Sequence, residues 1–189
     1  GQAALAETCF RSCLAARADY AAALQGLGKA LHDQLRLNEA EQAFAAAAHH
    51  DMQPARARYH IGLLRLLQGD YAAGWLGWEK RIEALGHPRL DVQFWTGKQI
   101  PGEQGFGDVL QFACFLPEAA ARAGTAARIT LGCAPPLLPL LAPLCAAAGI
   151  TAVTGSVVTR GVDHVAWLCS LQALLGAKAP EIFGAPPTY

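Results

Sequence analysis

From residue 3 to residue 84, apolar side chains recur at three- and four-residue spacing among alanines and charged helix formers. That period predicts helices, one over roughly 3–17 and then two pairs over 20–51 and 54–84, with Gly69-Asp70 as the turn inside the last pair. Gly86-His87-Pro88 ends the periodicity, and residues 86–101 read as an extended linker lying against the helices. From 102 onward the texture changes. A glycine loop precedes a helix from Asp108 to about Gly124, and Ala127 to Cys133 reads as a buried strand. Pro135-Pro136 opens a helix through Leu144, Ile150 to Val153 is a second short strand, Asp163 to Trp167 a third candidate, and Ser170 to Leu175 a short helix. Alternating strands and helices with short connections predict a parallel, doubly wound sheet.

The helical half repeats itself at a step of 34 residues: Gly28 recurs as Gly62, Leu27 as Ile61, Ala40 as Gly74 and Phe44 as Trp78, while the same step backward takes Ala40 to Ala6 and Phe44 to Phe10. Small residues at 28, 40 and 62 allow paired helices to approach, and the aromatic fills the gap toward the next pair. The period, with Leu24-x-x-Leu27-Gly28, Ala40-x-x-x-Phe44-x-x-Ala47 and Gly69-Asp70-Tyr71-x-x-Gly74-x-x-x-Trp78, resembles the tetratricopeptide repeat. Leu35 stands where that family usually has its turn glycine and Met52 where it usually has proline, so the turn at Leu35 is expected to be tighter or differently closed. The register begins in mid-repeat, which predicts that the chain belongs to a longer array.

The resemblance implies a protein or peptide partner along a concave groove. Lys29, Arg56, Arg58 and His60, all on first helices of pairs, are candidate groove residues, although a solvated helix face accounts for them equally well. His49-His50-Asp51 closes a helix, where histidine meets the dipole favourably. Cys9 and Cys13, four apart on one face, read as core.

Composition narrows the function classes. Fifteen basic residues balance fifteen acidic ones among 189, so no chain-wide field draws this protein to nucleic acid. Apolar residues make up 53%, yet no unbroken run reaches the roughly eighteen that a membrane helix needs. The opening Gly1-Gln2-Ala3, with Glu7 soon after, has no secretory pattern. The six cysteines form no CxxC pair and neighbour no histidine cluster, which predicts free thiols in a reducing cytoplasm and no metal site.

The one stretch with chemistry in it is Glu103-Gln104-Gly105-Phe106-Gly107-Asp108. Two glycines ahead of an acid and an apolar run read as a tight loop opening into a helix, where backbone N–H groups and the helix N-terminus face a ligand and favour a carboxylate. A turn followed by a cap explains the same residues.

Together with Gly69-Asp70-Tyr71-x-x-Gly74-Trp75, Trp95, Gln111-Phe112, Leu116-Pro117, Pro135-Pro136-Leu137-Leu138 and Asp163-x-x-x-x-x-Cys169-Ser170-Leu171, that stretch makes nearly the whole chain resemble bacterial proteins that fuse tetratricopeptide repeats to a heptosyltransferase-like glycosyltransferase domain of the GT-B type. The resemblance implies an α plus α/β chain: repeats over 1–85, a linker over 86–101, and over 102–189 the Rossmann-like parallel N-terminal half of a glycosyltransferase. It makes Asp108 the catalytic base toward an acceptor hydroxyl in an inverting transfer, with Gly105 and Gly107 giving backbone N–H groups access to substrate and Glu103 and Gln104 holding the sugar acceptor. It calls for no cofactor beyond a nucleotide-sugar donor, which the family binds in a C-terminal half expected past Tyr189. Trp95 to Pro101 stands where the family has a strand, yet it holds one aliphatic residue and a proline, so a shortened or missing first strand is expected. A free-standing nucleotide site is disfavoured, since no phosphate-loop lysine follows the glycines. Two functions remain: the repeat region and acceptor-side half of a glycosyltransferase, inactive without its donor half, or a protein-binding repeat scaffold with a degenerate, non-catalytic α/β domain.

Overall fold

The computed structural model describes residues 1–86, 105–154 and 165–176, and the chain divides into two compact units, Gly1–Pro88 and Arg89–Tyr189. The first is helical: α1 (Gln2–Ala16), α2 (Ala21–His32), α3 (Leu37–His50), α4 (Ala55–Leu67), α5 (Tyr71–Trp78) and α6 (Arg81–Ala84). Each of α1 to α5 packs on the next, and the connections of three to four residues between them require antiparallel neighbours. The apolar stripe of α2 (Leu24, Leu27, Leu31) meets Ala40, Ala43 and Phe44 of α3 and Leu64 of α4, with Phe10 and Leu14 of α1 against the same core. Phe44 is only 1% exposed, a burial whose loss on truncation to alanine costs about 3–5 kcal/mol.

The 34-residue step is visible in the backbone. At the end of α2, Leu35 N–H donates to His32 O (2.8 Å) and Arg36 N–H to Leu31 O (3.0 Å), with Leu35 in the left-handed region at φ 58°. At the end of α4, Gly69 N–H donates to Leu66 O (3.1 Å) and Asp70 N–H to Arg65 O (2.9 Å), with Gly69 at φ 84°. Leu35 and Gly69 are one period apart and close their helices in the same way, so the expectation of a different closure at Leu35 is corrected. The leucine takes the backbone shape that a glycine takes in the next unit. Asp70 then caps α5, its carboxylate accepting from Ala73 N–H at 3.2 Å.

The small residues mark the closest approaches. A Cβ on Gly62 would stand 2.5 Å from the Gly77 carbonyl carbon, so α4 and α5 touch backbone to backbone. A Cβ on Gly28 would stand 2.7 Å from the Phe44 ring. The expectation that Cys9 and Cys13 pack in the core is corrected: α1 has no fully buried residue, Cys9 is exposed and Cys13 half-buried, because α1 is covered only on the Phe10 and Leu14 side. The last predicted helix breaks after Trp78 and resumes as the short α6, whose Arg81 is fully buried and paired with Glu79 at 2.7 Å.

The second unit contains α7 (Phe106–Ala113), α8 (Leu116–Ala123), β1 (Ile129–Cys133), a 3₁₀ turn at Pro135–Leu137, α9 (Leu138–Ala147), β2 (Ile150–Thr154), a second 3₁₀ turn at Leu168–Ser170 and α10 (Leu171–Leu174). β1 and β2 pair in parallel, Ile129 opposite Ile150 through Cys133 opposite Thr154, with α9 as the crossover. Among the described residues the unit is thus helical around a two-stranded parallel sheet, with Leu131, Leu137, Leu141, Cys145 and Ile150 in its core beside Ala113 and Leu116.

Three local expectations change. The single helix from Asp108 to Gly124 is two, because the Pro117 ring is incompatible with a continued helix and collides with the carbonyl of Ala113, where α7 stops. β1 is covered on one face only, with Leu131 inside and Thr130 and Gly132 exposed, rather than buried throughout. Val165 to Trp167 form no strand, while Asp163 and His164 lie outside the described residues, as do most of the expected linker, the region before Gly102 where a first strand was in question, and residues 177–189.

Candidate functional site

Asp108 sits in the first turn of α7, behind Gly105 as the N-cap residue. Gly105 N–H donates to Asp108 Oδ2 at 3.2 Å, and Val109 N–H closes the first helical bond to Gly105 O at 3.2 Å. The carboxylate thus reaches back to its own cap, one half of a capping box. The other half needs a cap side chain that glycine does not have. Phe112, buried and stacked on Phe115 with ring centroids 6.2 Å apart, anchors the far end of α7, and Gln111 faces solvent.

Neither glycine of the loop takes a positive φ: Gly105 has φ −66° and Gly107 is helical. What they leave is space. A Cβ on Gly107 would meet nothing within 4 Å, and one on Gly105 only Asp108 Oδ2 at 3.7 Å. Phe106, 54% exposed, stands beside that opening. The structure therefore brings Gly105 and Asp108 together with Gly107 exposed next to them, while Glu103 and Gln104 lie outside the described residues.

The second candidate surface is on the first helices of the two pairs. Of its predicted members, Lys29 on α2 and Arg56 and Arg58 on α4 are exposed, and His60 is half-buried. The His60 ring stacks on Phe44 with centroids 4.9 Å apart and planes 14° apart, and Phe44 in turn lies against Gly28, the neighbour of Lys29. Burial, followed by the charges of Lys29, Arg56 and His32, pushes the His60 imidazolium below its ordinary value of 6.5. Lys29 and Arg56 thus bring positive charge to the side of the His60 ring, with His32 close by, and the ring itself is held toward its neutral form. Arg58, two residues from Arg56, projects from another side of α4 and is not among the charges acting on His60. Sequence reasoning missed His32, although its position three residues after Lys29 already placed both on one helix face.

Several cations elsewhere are matched by carboxylates. Arg36 holds Glu7 through Nη1 (2.9 and 2.8 Å to the two oxygens) and Glu39 through Nε at 2.7 Å, while Arg65 reaches Glu41 at 2.9 Å. Gln34 at 2.9 Å, Arg11 and Arg36 together lower the Glu7 carboxyl to about 2. Burial pushes the thiols of Cys114, Cys133 and Cys145 up, which argues against a nucleophilic role. Among the described residues, no helix is long and apolar enough to cross a membrane.

No family model matches the chain, and no curated protein or solved structure is significantly similar to it.

Proposed function

We propose that the helical unit is a tetratricopeptide-type scaffold that binds a peptide or protein segment along the first helices of its pairs, α2 and α4. The observation that carries this reading is the repeated geometry: two hairpins one 34-residue step apart, with the same left-handed closure at Leu35 and Gly69 and a glycine at the helix contact in each, Gly28 and Gly62. Stacked hairpins of this kind expose their first helices side by side, which suits an extended ligand. The cytoplasmic setting expected from the cysteines goes with this reading. Selection of a displayed random-peptide library on the immobilised chain tests it. A recurrent motif with saturable binding is expected, and the absence of any recurrent motif contradicts the scaffold.

A second reading is favoured by the crossover from β1 through α9 to β2 and by the open side of the Gly105-Phe106-Gly107 loop. In it, the second unit is the acceptor-side, Rossmann-like half of an inverting glycosyltransferase. Asp108 takes the proton of an acceptor hydroxyl as that oxygen bonds to the anomeric carbon and the bond to the nucleoside diphosphate breaks. To act so, the Asp108 carboxylate gives up or shares its bond to Gly105 N–H. In a protein joining this chain to a donor-binding half, Asp108→Asn abolishes transfer and leaves folding intact; undiminished transfer removes Asp108 from the role.

A further inference from the structure

Lys29 and Arg56 are exposed cations on adjacent first helices, and among the described residues neither makes an ion pair, although the arginines at 36 and 65 nearby are both matched by glutamates. The His60 ring follows Arg56 by one turn of α4, lies flat and half-covered on Phe44, and both charges act on it. His32 continues the group along α2. A protein with balanced charge has carboxylates to spare for these two side chains, yet the surrounding acids are used elsewhere: Asp33 contacts the His32 ring at 3.2 Å, and Asp51 accepts from Gln25 at 2.9 Å. Asp33 follows α2 directly, and Asp51 meets α2 at Gln25, one turn before Lys29.

We propose that the face formed by Lys29, His32, Arg56 and His60 is the specificity-determining part of the peptide groove and selects an acidic peptide segment, whose carboxylates pair with Lys29 and Arg56. The proposal rests on the scaffold reading and names its partner by charge. The size of the patch favours a peptide over nucleic acid. From Lys29 to His32 is one helical turn, about 5 Å, and Asp33 and Asp51 flank it with the wrong sign for a run of phosphates. The half-buried His60 ring, backed by the buried Phe44, supplies a flat floor on which the stems of glutamate side chains lie.

The experiment uses the full chain and the displayed random-peptide library, followed by titration of a synthetic peptide carrying the enriched motif. The enriched motif is expected to contain Asp or Glu. Its Gln/Asn analogue binds about tenfold more weakly, since two charge pairs to exposed cations are lost. K29A/R56A weakens binding to the same degree, while R58A, an exposed arginine outside the group, leaves it unchanged. Affinity falls with added salt. Because all three side chains are exposed, the variants keep the fold, and their circular dichroism is expected to match the parent. A recurrent motif without acids, or one whose binding K29A/R56A and R58A reduce equally, overturns the proposal and leaves the scaffold reading standing. Absence of any motif overturns both. Tighter binding of a single-stranded oligonucleotide than of the acidic peptide also overturns the proposal.

Discussion

At Leu35 residue type and backbone conflict: a branched, 80% exposed side chain occupies a left-handed turn that its counterpart one repeat later fills with glycine. A non-glycine residue there costs about 1–2 kcal/mol, partly offset by the extra freedom that glycine has in the unfolded chain. Leu35→Gly is therefore expected to raise the stability of the helical unit by about 0.5–1 kcal/mol, read from the denaturant midpoint; a drop shows that the leucine makes a contact worth more than its strain. The turn is stapled on both sides by the Gln34 and Arg36 bonds to Glu7. Glu7, 14% exposed, has its folded carboxyl lowered to about 2 against an ordinary 4.5. A lowered carboxylate stabilises the fold above the unfolded value, and that contribution is lost as pH falls through the folded one. Amide protection of α1 should therefore decline between about pH 4.5 and 2, and Glu7→Gln should flatten the decline. His60 acts in a higher window. Its imidazolium is disfavoured in the fold, so the unfolded chain takes up the proton first and stability declines as pH drops below about 6.5. Unfolding curves of parent and His60→Gln at pH 7.5 and 5.5 check this: the difference between the two pH values should shrink in the variant, and an unchanged difference would show that another group titrates.

At the scale of elements, glycines with the same sequence signature do different work. Gly62 lies where α4 and α5 meet backbone to backbone, and a methyl there has only main chain to displace. Gly62→Ala is expected to destabilise by about 2 kcal/mol or more. Gly107 lies in open space within α7, and Gly107→Ala is expected to be neutral or to stabilise by about 0.5–1 kcal/mol through helix propensity. Equal effects from thermal or chemical unfolding would contradict the packing described for α4 and α5. This contrast also marks what a reader of the sequence can see. The 34-residue spacing located the hairpins because every period presents the same core, and the run of small residues followed by an aromatic is a direct imprint of helix contact. The break between α7 and α8 was signalled by Pro117 but needs the collision with Ala113 to be worked through. The one-sided cover of β1 and the exposure of Cys9 were not legible, since burial depends on what lies against a segment and apolar letters do not record that. In the candidate site, the pairing of Asp108 with Gly105 follows from spacing alone, whereas the convergence of His32 with Arg56 and His60 required the packing of α2, α3 and α4.

For the whole molecule, the chain is two units of different character: a helical stack whose geometry repeats, and a unit whose described residues are helices around two parallel strands and an open glycine loop. We propose that binding belongs to the first, on the faces of α2 and α4. Hydrogen exchange on the full chain, with and without a saturating acidic peptide from the library, tests that placement most directly. The account predicts added protection in Ala21–His32 and Ala55–Leu67, centred on the turns that carry Lys29 and Arg56. Protection confined to Phe106–Ala113, or none in either first helix at saturation, would contradict it.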